Sequence, residues 1–259
     1  MQKVSSKDGT TIAFDRIGSG PPVVLISGGP SDRSANADLA GRLAQNFNVL
    51  NYDRRGRGDS GDTPPYSIDR EYEDLAAVLD AAGGSAALVG YSGTGNIALE
   101  AAARGLPASK LALWEPPYVV GDSRPPIPRD WGQRVDELVR AGQPGDALEY
   151  WMTVVIGAPA EAVAPLRGLP FWAAMEPHAH MLVRDAALLG DFRLPPAQRL
   201  ATVTVPTLVL DGGQMPWLST GVTALVATLP NARRRTLDGQ PHDIPLEVLV
   251  PAIAEFLAE

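Results

Sequence analysis

The chain contains no cysteine among its 259 residues. Disulfide bonds, thiolate metal sites and a cysteine nucleophile are therefore excluded. Histidine is also scarce, with three in the whole chain, at positions 178, 180 and 242. A reaction that needs an imidazole as its base has few residues from which to draw one.

Long apolar runs are missing too. No stretch approaches 18 consecutive apolar residues, and residues 1–8 contain no apolar signal segment. Basic charge is not in excess, because 22 Lys and Arg stand against 30 Asp and Glu, for a net charge of −8. We therefore expect a cytoplasmic protein with neither nucleic acid nor a membrane as its partner. The hydrophobic content of 45% suffices for a large core.

Residues 86–100 are the stretch around which the chain is organised. They begin as a short apolar run, typical of a buried parallel strand, and end in a helical pattern. Between the two, residues 90–94 (Gly-Tyr-Ser-Gly-Thr) place glycines on both sides of a short turn. A strand, a tight turn with a central serine and a helix form a nucleophile elbow. We therefore predict that Ser92 is a nucleophile, although Thr94 departs from the usual G-x-S-x-G pattern.

A second pattern overlaps this turn. Residues 93–98 read G-x-G-x-x-A, and Glu115 lies 20 residues after Gly95, where a dinucleotide-binding fold has its ribose-binding acid. Three observations disfavour a dinucleotide site. The pattern lies in the fifth strand–helix unit rather than the first. It leaves Ser92 without a role, and it does not explain His242 or an Arg-Gly-rich turn earlier in the chain.

Apolar strands alternate with helical patterns along most of the chain, which predicts a mostly parallel sheet with right-handed crossovers. The pattern predicts an N-terminal hairpin with strands at 4–8 and 10–17. It also predicts helices over residues 32–45 and 222–229.

The Arg-Gly-rich turn is residues 53–60 (Asp-Arg-Arg-Gly-Arg-Gly-Asp-Ser). Together with the elbow it resembles the α/β-hydrolase superfamily, and the resemblance covers about residues 10–258. It implies an α/β-hydrolase fold, with a mostly parallel eight-stranded sheet flanked by helices and a helical cap inserted after the sixth strand. We expect a core domain of residues 1–115 and 197–259. The cap is expected at 116–196, where the sequence becomes rich in Pro, Trp, Tyr and Met.

The resemblance also supplies candidates for the base and the acid. His242 lies between the last predicted strand and helix, where the superfamily has its catalytic histidine. Met215 falls at the usual acid position, and a thioether cannot accept the imidazole N–H. Glu115 falls at a second position, similar to zearalenone-lactonase-like enzymes and one haloalkane dehalogenase branch. The expected triad is Ser92–His242–Glu115, with Asp211 as the alternative acid. As ordinary structural residues, Glu115 or Asp211 could instead cap a helix or a turn.

An oxyanion hole needs two N–H groups that converge on one developing charge. Gly93 follows the nucleophile at the start of a helix, and Gly29 lies in the turn after an apolar strand. We predict these two as the donors. Ser27 and Gly28 replace the family's usual His-Gly at this turn, a change that a backbone donor can tolerate.

Large apolar side chains in and near the predicted cap are candidates for a substrate pocket, and they suggest an apolar substrate. Any one of them could equally belong to the cap's own core. The candidate pocket residues are Trp131, Trp151, Trp172, Met175, His178, Met215 and Trp217.

The expected function is that of a serine hydrolase that cleaves a small-molecule carboxylic ester or lactone, with no metal or organic cofactor. Two alternatives stay open. The same triad supports cofactor-free haloperoxidase or perhydrolase chemistry in this superfamily. A non-catalytic ligand-binding member of the fold is favoured by Thr94, Ser27 and Met215, and disfavoured by the complete triad.

Overall fold

The computed structural model describes residues 1–259 and contains one eight-stranded sheet with the order β1-β2-β4-β3-β5-β6-β7-β8. The strands are β1 (Gln2–Ser5), β2 (Thr11–Ile17), β3 (Pro22–Ile26), β4 (Asn48–Tyr52), β5 (Ala86–Tyr91), β6 (Ala108–Trp114), β7 (Thr207–Gly213) and β8 (Ala232–Gln240). Strands β3 to β8 are parallel, and β1 and β2 form an antiparallel edge. The predicted fold class is confirmed.

Helices cover both faces of the sheet. The helices are α1 (Ala37–Leu43), α2 (Ile68–Ala81), α3 (Gly93–Ala103), α4 (Trp131–Arg140), α5 (Pro144–Tyr150), α6 (Ala160–Val163), α7 (Pro170–Met175), α8 (Leu182–Leu189), α9 (Ala197–Leu200), α10 (Pro216–Thr228) and α11 (Leu246–Ala258). No helix combines the length and apolar character needed to cross a bilayer.

Two hydrophobic clusters explain why the sheet is covered on both faces. On one face, α1 and α11 pack side chains such as Leu43 and Phe256 against the strands. On the other, α2, α3 and α10 contribute Leu75, Ile97 and Val222. Because parallel strands buried on both faces are mostly apolar, functional side chains in sheets of this kind commonly come from the loops at the carboxyl ends.

The segment between β6 and β7 contains α4 to α9; residues 116–196 of this segment, called the insertion below, contain α4 to α8. It also includes a π-helical turn (Trp151–Ile156) and two 3-10 turns. Most of its buried apolar residues form a third cluster, separate from the two that flank the sheet, whereas Tyr118 belongs to the cluster beside α2, α3 and α10. The insertion therefore has an apolar core of its own.

Some element boundaries differ from the sequence prediction. The first strand is Gln2–Ser5, two residues earlier than expected, because residues 6–10 form the hairpin turn. The helix expected over residues 32–45 is a 3-10 turn (Arg33–Asn36) followed by α1, with Asp32 capping the turn. Helix α10 begins at Pro216 rather than at 222, since proline fits the first helical position.

Candidate active site

The predicted elbow is present between β5 and α3. Ser92 has φ 52° and ψ −130°, a strained conformation that turns the chain sharply from strand to helix. Position 90 of this turn has no room for a side chain, because a Cβ on Gly90 would lie 2.6 Å from the Cα of Gly95. Ser92 itself stays partly exposed at the start of α3.

The departure at Thr94 has a structural explanation. Its hydroxyl accepts a hydrogen bond from the Tyr91 N–H at 2.8 Å and donates one to the Tyr91 carbonyl at 2.9 Å, so it closes the elbow. Its methyl group fills space beside the turn after β3, where a Cβ on Gly28 would lie 2.2 Å from the Thr94 Cγ2. Gly28 and Thr94 are therefore complementary.

Glu115 and His242 are in direct contact. The His242 Nδ1 lies 2.6 Å from the Glu115 Oε2, and the other carboxylate oxygen accepts a hydrogen bond from the Gly212 N–H at 2.9 Å. Glu115 is fully buried directly after β6, and its φ of 42° is unusual for a residue other than glycine. A buried carboxylate held in this way fixes the orientation of the imidazole and stabilises its protonated form.

The loop that carries His242 is anchored to the elbow. Its backbone carbonyl accepts hydrogen bonds from the Trp114 Nε1 at 2.9 Å and from the Tyr91 hydroxyl. The Tyr91 and His242 ring centroids are 5.4 Å apart. Burial, with the Asp243 charge, raises the pKa of Tyr91, which keeps its hydroxyl a donor. No hydrogen bond joins Ser92 to His242 in this structure; Tyr91, the residue before Ser92, contacts the histidine through its hydroxyl and its ring.

Asp211, the alternative acid, has other partners. It accepts hydrogen bonds from Arg234 at 2.7 and 3.1 Å, from Ser219 at 2.6 Å and from Thr236 at 2.9 Å. Burial opposes its ionisation, but these hydrogen bonds outweigh burial and lower its pKa. Asp211 makes no contact with His242; its carboxylate joins β7, β8 and α10.

The two predicted oxyanion donors lie at turns that suit the role. Gly29 has φ 62°, and its N–H makes no hydrogen bond within the protein. Gly93 is the first residue of α3, where a backbone N–H has no helical partner and the helix dipole favours negative charge. The Ser31 hydroxyl donates to the Gly28 carbonyl at 2.7 Å, which orients the peptide plane that carries the Gly29 N–H.

Residues 23–251 match the sequence model described as the alpha/beta hydrolase family. The chain belongs to this family. A crystal structure of an alpha/beta hydrolase from Sphaerobacter thermophilus DSM 20745 is similar over nearly the whole chain. It has 51% sequence identity and a TM-score of 0.94, and the alignment covers 98% of this chain and 99% of that one.

Curated relatives of this hydrolase include a pimeloyl-[acyl-carrier protein] methyl ester esterase from Xanthomonas campestris pv. campestris. It is 31% identical over 242 residues, which cover 88% of this chain and 90% of that protein. Polyketide synthase ThaQ from Burkholderia thailandensis is 30% identical over 261 residues, covering 94% of this chain. The hydrolase spans only 12% of ThaQ's length.

The glycine pattern that suggested a dinucleotide site is explained by packing in this hydrolase. A Cβ on Gly95 would lie 3.1 Å from the Pro116 Cβ, and a Cβ on Gly90 would lie 2.6 Å from the Gly95 Cα. Glu115, which would bind the ribose in a dinucleotide site, contacts His242. The family assignment and these contacts leave the dinucleotide interpretation without support.

The predicted pocket residues fall into two groups. Trp131 and Trp172 are each 1% exposed in the core of the insertion, and the Trp131 Nε1 donates to the Gly190 carbonyl at 2.9 Å. Their burial contradicts the expectation that they line an accessible pocket. They are the two largest side chains of the buried cluster inside the insertion, where aromatic residues dominate the packing.

The other candidates are partly exposed. Trp151 approaches the turn after β3, with its Cη2 3.8 Å from the position of a Cβ on Gly29. His178 lies 3.9 Å from the Asp32 carboxylate, and Trp217 stacks under the Arg124 guanidinium at 4.7 Å. Met175 and Met215 are half-buried, the latter directly before α10.

Two residues near the site had no signal in the sequence. Leu189, at the end of α8, covers the elbow: its Cδ1 would lie 2.9 Å from a Cβ on Gly93. Arg57 donates hydrogen bonds to the Gly29 carbonyl and, at 3.1 Å, to the Ser31 carbonyl. Arg57 belongs to the 53–60 turn that carries part of the family resemblance, but that pattern does not distinguish Arg57 from Arg54 and Arg55. Its role depends on contacts with residues far away in the sequence, namely Gly29, Ser31 and Asp185.

A polar cleft of about 460 Å³ on the insertion lies away from this site. Three of its four charged residues pair with one another, since Arg167 contacts Asp146 at 2.5 Å and Glu149 at 2.7 Å. It contains none of the triad residues. No group of three or more His, Cys, Asp or Glu side chains in residues 1–259 is arranged to hold a metal ion; the expectation of a cofactor-free reaction stays a prediction.

Proposed function

We propose that this hydrolase cleaves carboxylic esters or lactones through an acyl-enzyme on Ser92. The observation that carries the proposal is the 2.6 Å contact between Glu115 and His242, next to a strained serine elbow. A buried carboxylate, an imidazole oriented by it and a partly exposed serine are the parts of a serine nucleophile activated by a histidine base.

In the proposed reaction, the His242 Nε2 takes the proton of the Ser92 hydroxyl as its oxygen attacks the substrate carbonyl carbon. The carbonyl π electrons move to oxygen, and the N–H groups of Gly29 and Gly93 stabilise the oxyanion. When the tetrahedral intermediate collapses, the ester C–O bond breaks and His242 returns the proton to the leaving alcohol. Water then attacks the acyl-enzyme by the same route and releases the acid and free Ser92. In a lactone, the leaving alcohol stays attached to the acyl group.

Glu115 supports this cycle electrostatically. It accepts the hydrogen bond from the His242 Nδ1–H and stabilises the imidazolium formed at each proton transfer. The reaction so written needs no metal or organic cofactor. Asp211 takes no part in it, because its oxygens are engaged with Arg234, Ser219 and Thr236.

We also propose that residues 116–196 act as a cap that shapes the substrate site, with residues 1–115 and 197–259 as the core domain. Trp151 beside Gly29 and Leu189 above Gly93 support this role, since both side chains reach the oxyanion donors from the insertion. Apolar groups at this position favour a substrate with an apolar acyl or alkoxy group. The relative named as a methyl ester esterase supports ester hydrolysis.

The proposal is tested by turnover on a panel of p-nitrophenyl esters of increasing acyl length, together with γ- and δ-lactones. We expect multiple turnovers, a preference for apolar over short polar acyl groups, and no turnover by the Ser92→Ala and His242→Ala variants. The same panel with hydrogen peroxide and bromide tests the haloperoxidase alternative. Peroxide-dependent bromination without ester turnover would contradict the proposal, and saturable binding without turnover would indicate a ligand-binding protein.

A further inference from the structure

Helix α8 of the insertion is joined by a buried series of hydrogen bonds to the turn after β3 (residues 27–31), called the oxyanion turn because it carries the proposed Gly29 donor. Asp185, in the first turn of α8, accepts a hydrogen bond from the Arg57 Nη2 at 2.9 Å. Arg57 donates in turn to the carbonyls of Gly29 and Ser31. The Ser31 hydroxyl then donates to the Gly28 carbonyl at 2.7 Å. The Gly28 carbonyl and the Gly29 N–H, the proposed oxyanion donor, belong to the same peptide group.

All the charged side chains in this series of hydrogen bonds are buried. Arg57 is 1% exposed and Asp185 4% exposed. Asp185 also accepts from Arg54 at 2.8 Å, and Arg54 forms a bidentate pair with Glu71 on α2. Burial opposes the ionisation of Asp185, but Arg57 and Arg54 outweigh it and lower its pKa. The two arginines and two carboxylates balance, so α8 must dock for Arg57 to be neutralised.

The same helix reaches the second proposed donor. Leu189, one turn after Asp185, lies over Gly93 at the start of α3. Helix α8 therefore contacts both sides of the proposed oxyanion hole. One contact is polar, through Arg57, and the other is apolar.

We propose that Asp185, acting through Arg57, is a positioning residue for the oxyanion hole, so that docking of α8 sets the orientation of the Gly29 N–H. This inference rests on the proposed function, because it takes the Gly29 N–H as an oxyanion donor. A donor contributes to catalysis only where it meets the charge that develops in the transition state. A misplaced Gly29 N–H therefore lowers kcat and leaves ground-state binding, and so KM, nearly unchanged.

Asp74 provides a matched control. It forms a buried bidentate pair with Arg55 at 2.7 Å, two residues before Arg57 in the same turn. Neither Asp74 nor Arg55 contacts the oxyanion turn. Asp74→Asn removes a buried carboxylate charge from Arg55, and Asp185→Asn removes one that Arg54 and Arg57 share, so both lower the melting temperature. Only Asp185→Asn acts on the chain that reaches Gly29.

The experiment measures kcat and KM for p-nitrophenyl butyrate, and the rate of phosphonylation by a fluorophosphonate, for wild type, Asp185→Asn and Asp74→Asn. We expect Asp185→Asn to lower kcat and the phosphonylation rate about 10- to 100-fold, with KM within about threefold of wild type. We expect Asp74→Asn to keep wild-type kcat. Equal kcat in both variants, whether unchanged or lowered together, would overturn the proposal in favour of a structural pair.

Two further variants strengthen the test. Ser31→Ala acts on the same peptide plane, so its effect on kcat and that of Asp185→Asn should not add, whereas Ser31→Ala and Asp74→Asn should add. If Asp185→Asn does not fold, Arg57→Lys replaces it, because one ammonium cannot span Asp185 and both turn carbonyls. Arg57→Lys with wild-type kcat would overturn the proposal. A wild-type protein that reacts with neither the ester nor the fluorophosphonate would instead overturn the proposed function, and this inference with it.

Discussion

At the scale of single residues, the two candidate acids differ in what their oxygens contact. Glu115 gives one oxygen to His242 and the other to the Gly212 N–H. Asp211 gives both oxygens to side chains of β8 and α10. The same chemical group therefore has two roles in this protein, decided by its neighbours rather than by its type.

The first prediction separates these roles. Glu115→Gln keeps the shape of the side chain but removes the charge that stabilises imidazolium and fixes the tautomer, so we expect kcat/KM to fall about 10³- to 10⁴-fold. Asp211→Asn should leave kcat/KM within about threefold of wild type. Steady-state kinetics on an ester that wild type turns over provides the measurement. A large loss in Asp211→Asn with a small one in Glu115→Gln would reverse the assignment.

At this scale a motif predicts local geometry, and the catalytic roles of Ser92, His242 and Glu115 stay predictions. Ser92 stands in a recognisable turn, and His242 lies in a loop identified by chain order. Glu115 came from a resemblance together with the elimination of Met215. The tryptophans were harder, because a pattern of large apolar residues does not distinguish a pocket wall from a core. Trp131 and Trp172 lie in the core of the insertion, whereas Trp151 lies beside Gly29 in the turn after β3.

At the scale of elements, the elbow and the turn after β3 are fitted to each other. Gly28 has no Cβ where the Thr94 methyl lies, and the Thr94 hydroxyl bridges the backbone of Tyr91. The non-standard threonine at the end of the elbow and the glycine in the neighbouring turn form a pair. Neither residue can be understood alone.

A double-mutant cycle tests this pairing. Gly28→Ala places a Cβ 2.2 Å from the Thr94 Cγ2, so we expect a loss of about 1–3 kcal/mol in the free energy of unfolding. Thr94→Ser removes that methyl and keeps the hydroxyl, so the double variant should recover most of the loss. Urea denaturation of the four proteins measures the coupling. Additive losses in the double variant would show that the two side chains do not share this space.

Asp211 offers a prediction about acid stability, because it joins β7, β8 and α10. Its pKa in the folded protein is lower than in the unfolded chain, where an aspartate titrates near about 3.9. Its contribution is therefore fully present above the unfolded pKa and is lost as the pH falls through the lowered folded pKa. We expect Asp211→Asn to cost about 1–3 kcal/mol near neutral pH and progressively less below about pH 4.

Chemical denaturation of wild type and Asp211→Asn across this pH range measures the difference. Glu247→Gln, at an exposed position in the first turn of α11, serves as a comparison, because its carboxylate has no such set of partners. A gap between wild type and Asp211→Asn that stays constant down to about pH 2 would contradict the role assigned to the Asp211 charge.

At the scale of the whole molecule, the fold could be predicted because alternating strands and helices allow few parallel topologies. Local patterns predicted the mostly parallel sheet and the N-terminal hairpin, and the family resemblance predicted the eight strands and the flanking helices; the strand order comes from the structure alone. What could not be predicted are contacts between segments that share no motif. Asp185 in the insertion meets Arg57 of the core across 128 residues, and Leu189 covers Gly93. Such pairs depend on how two apolar cores dock, which no local pattern encodes.

The central claim is that Ser92 is a nucleophile activated by His242. Intact-mass analysis after treatment with a small fluorophosphonate tests it most directly, using wild type, Ser92→Ala and His242→Ala, each first shown to be folded by circular dichroism. The account predicts one adduct per wild-type chain, no adduct on Ser92→Ala, and a much slower reaction of His242→Ala. An unlabelled wild type, or a wild type and a Ser92→Ala variant labelled equally, would contradict it.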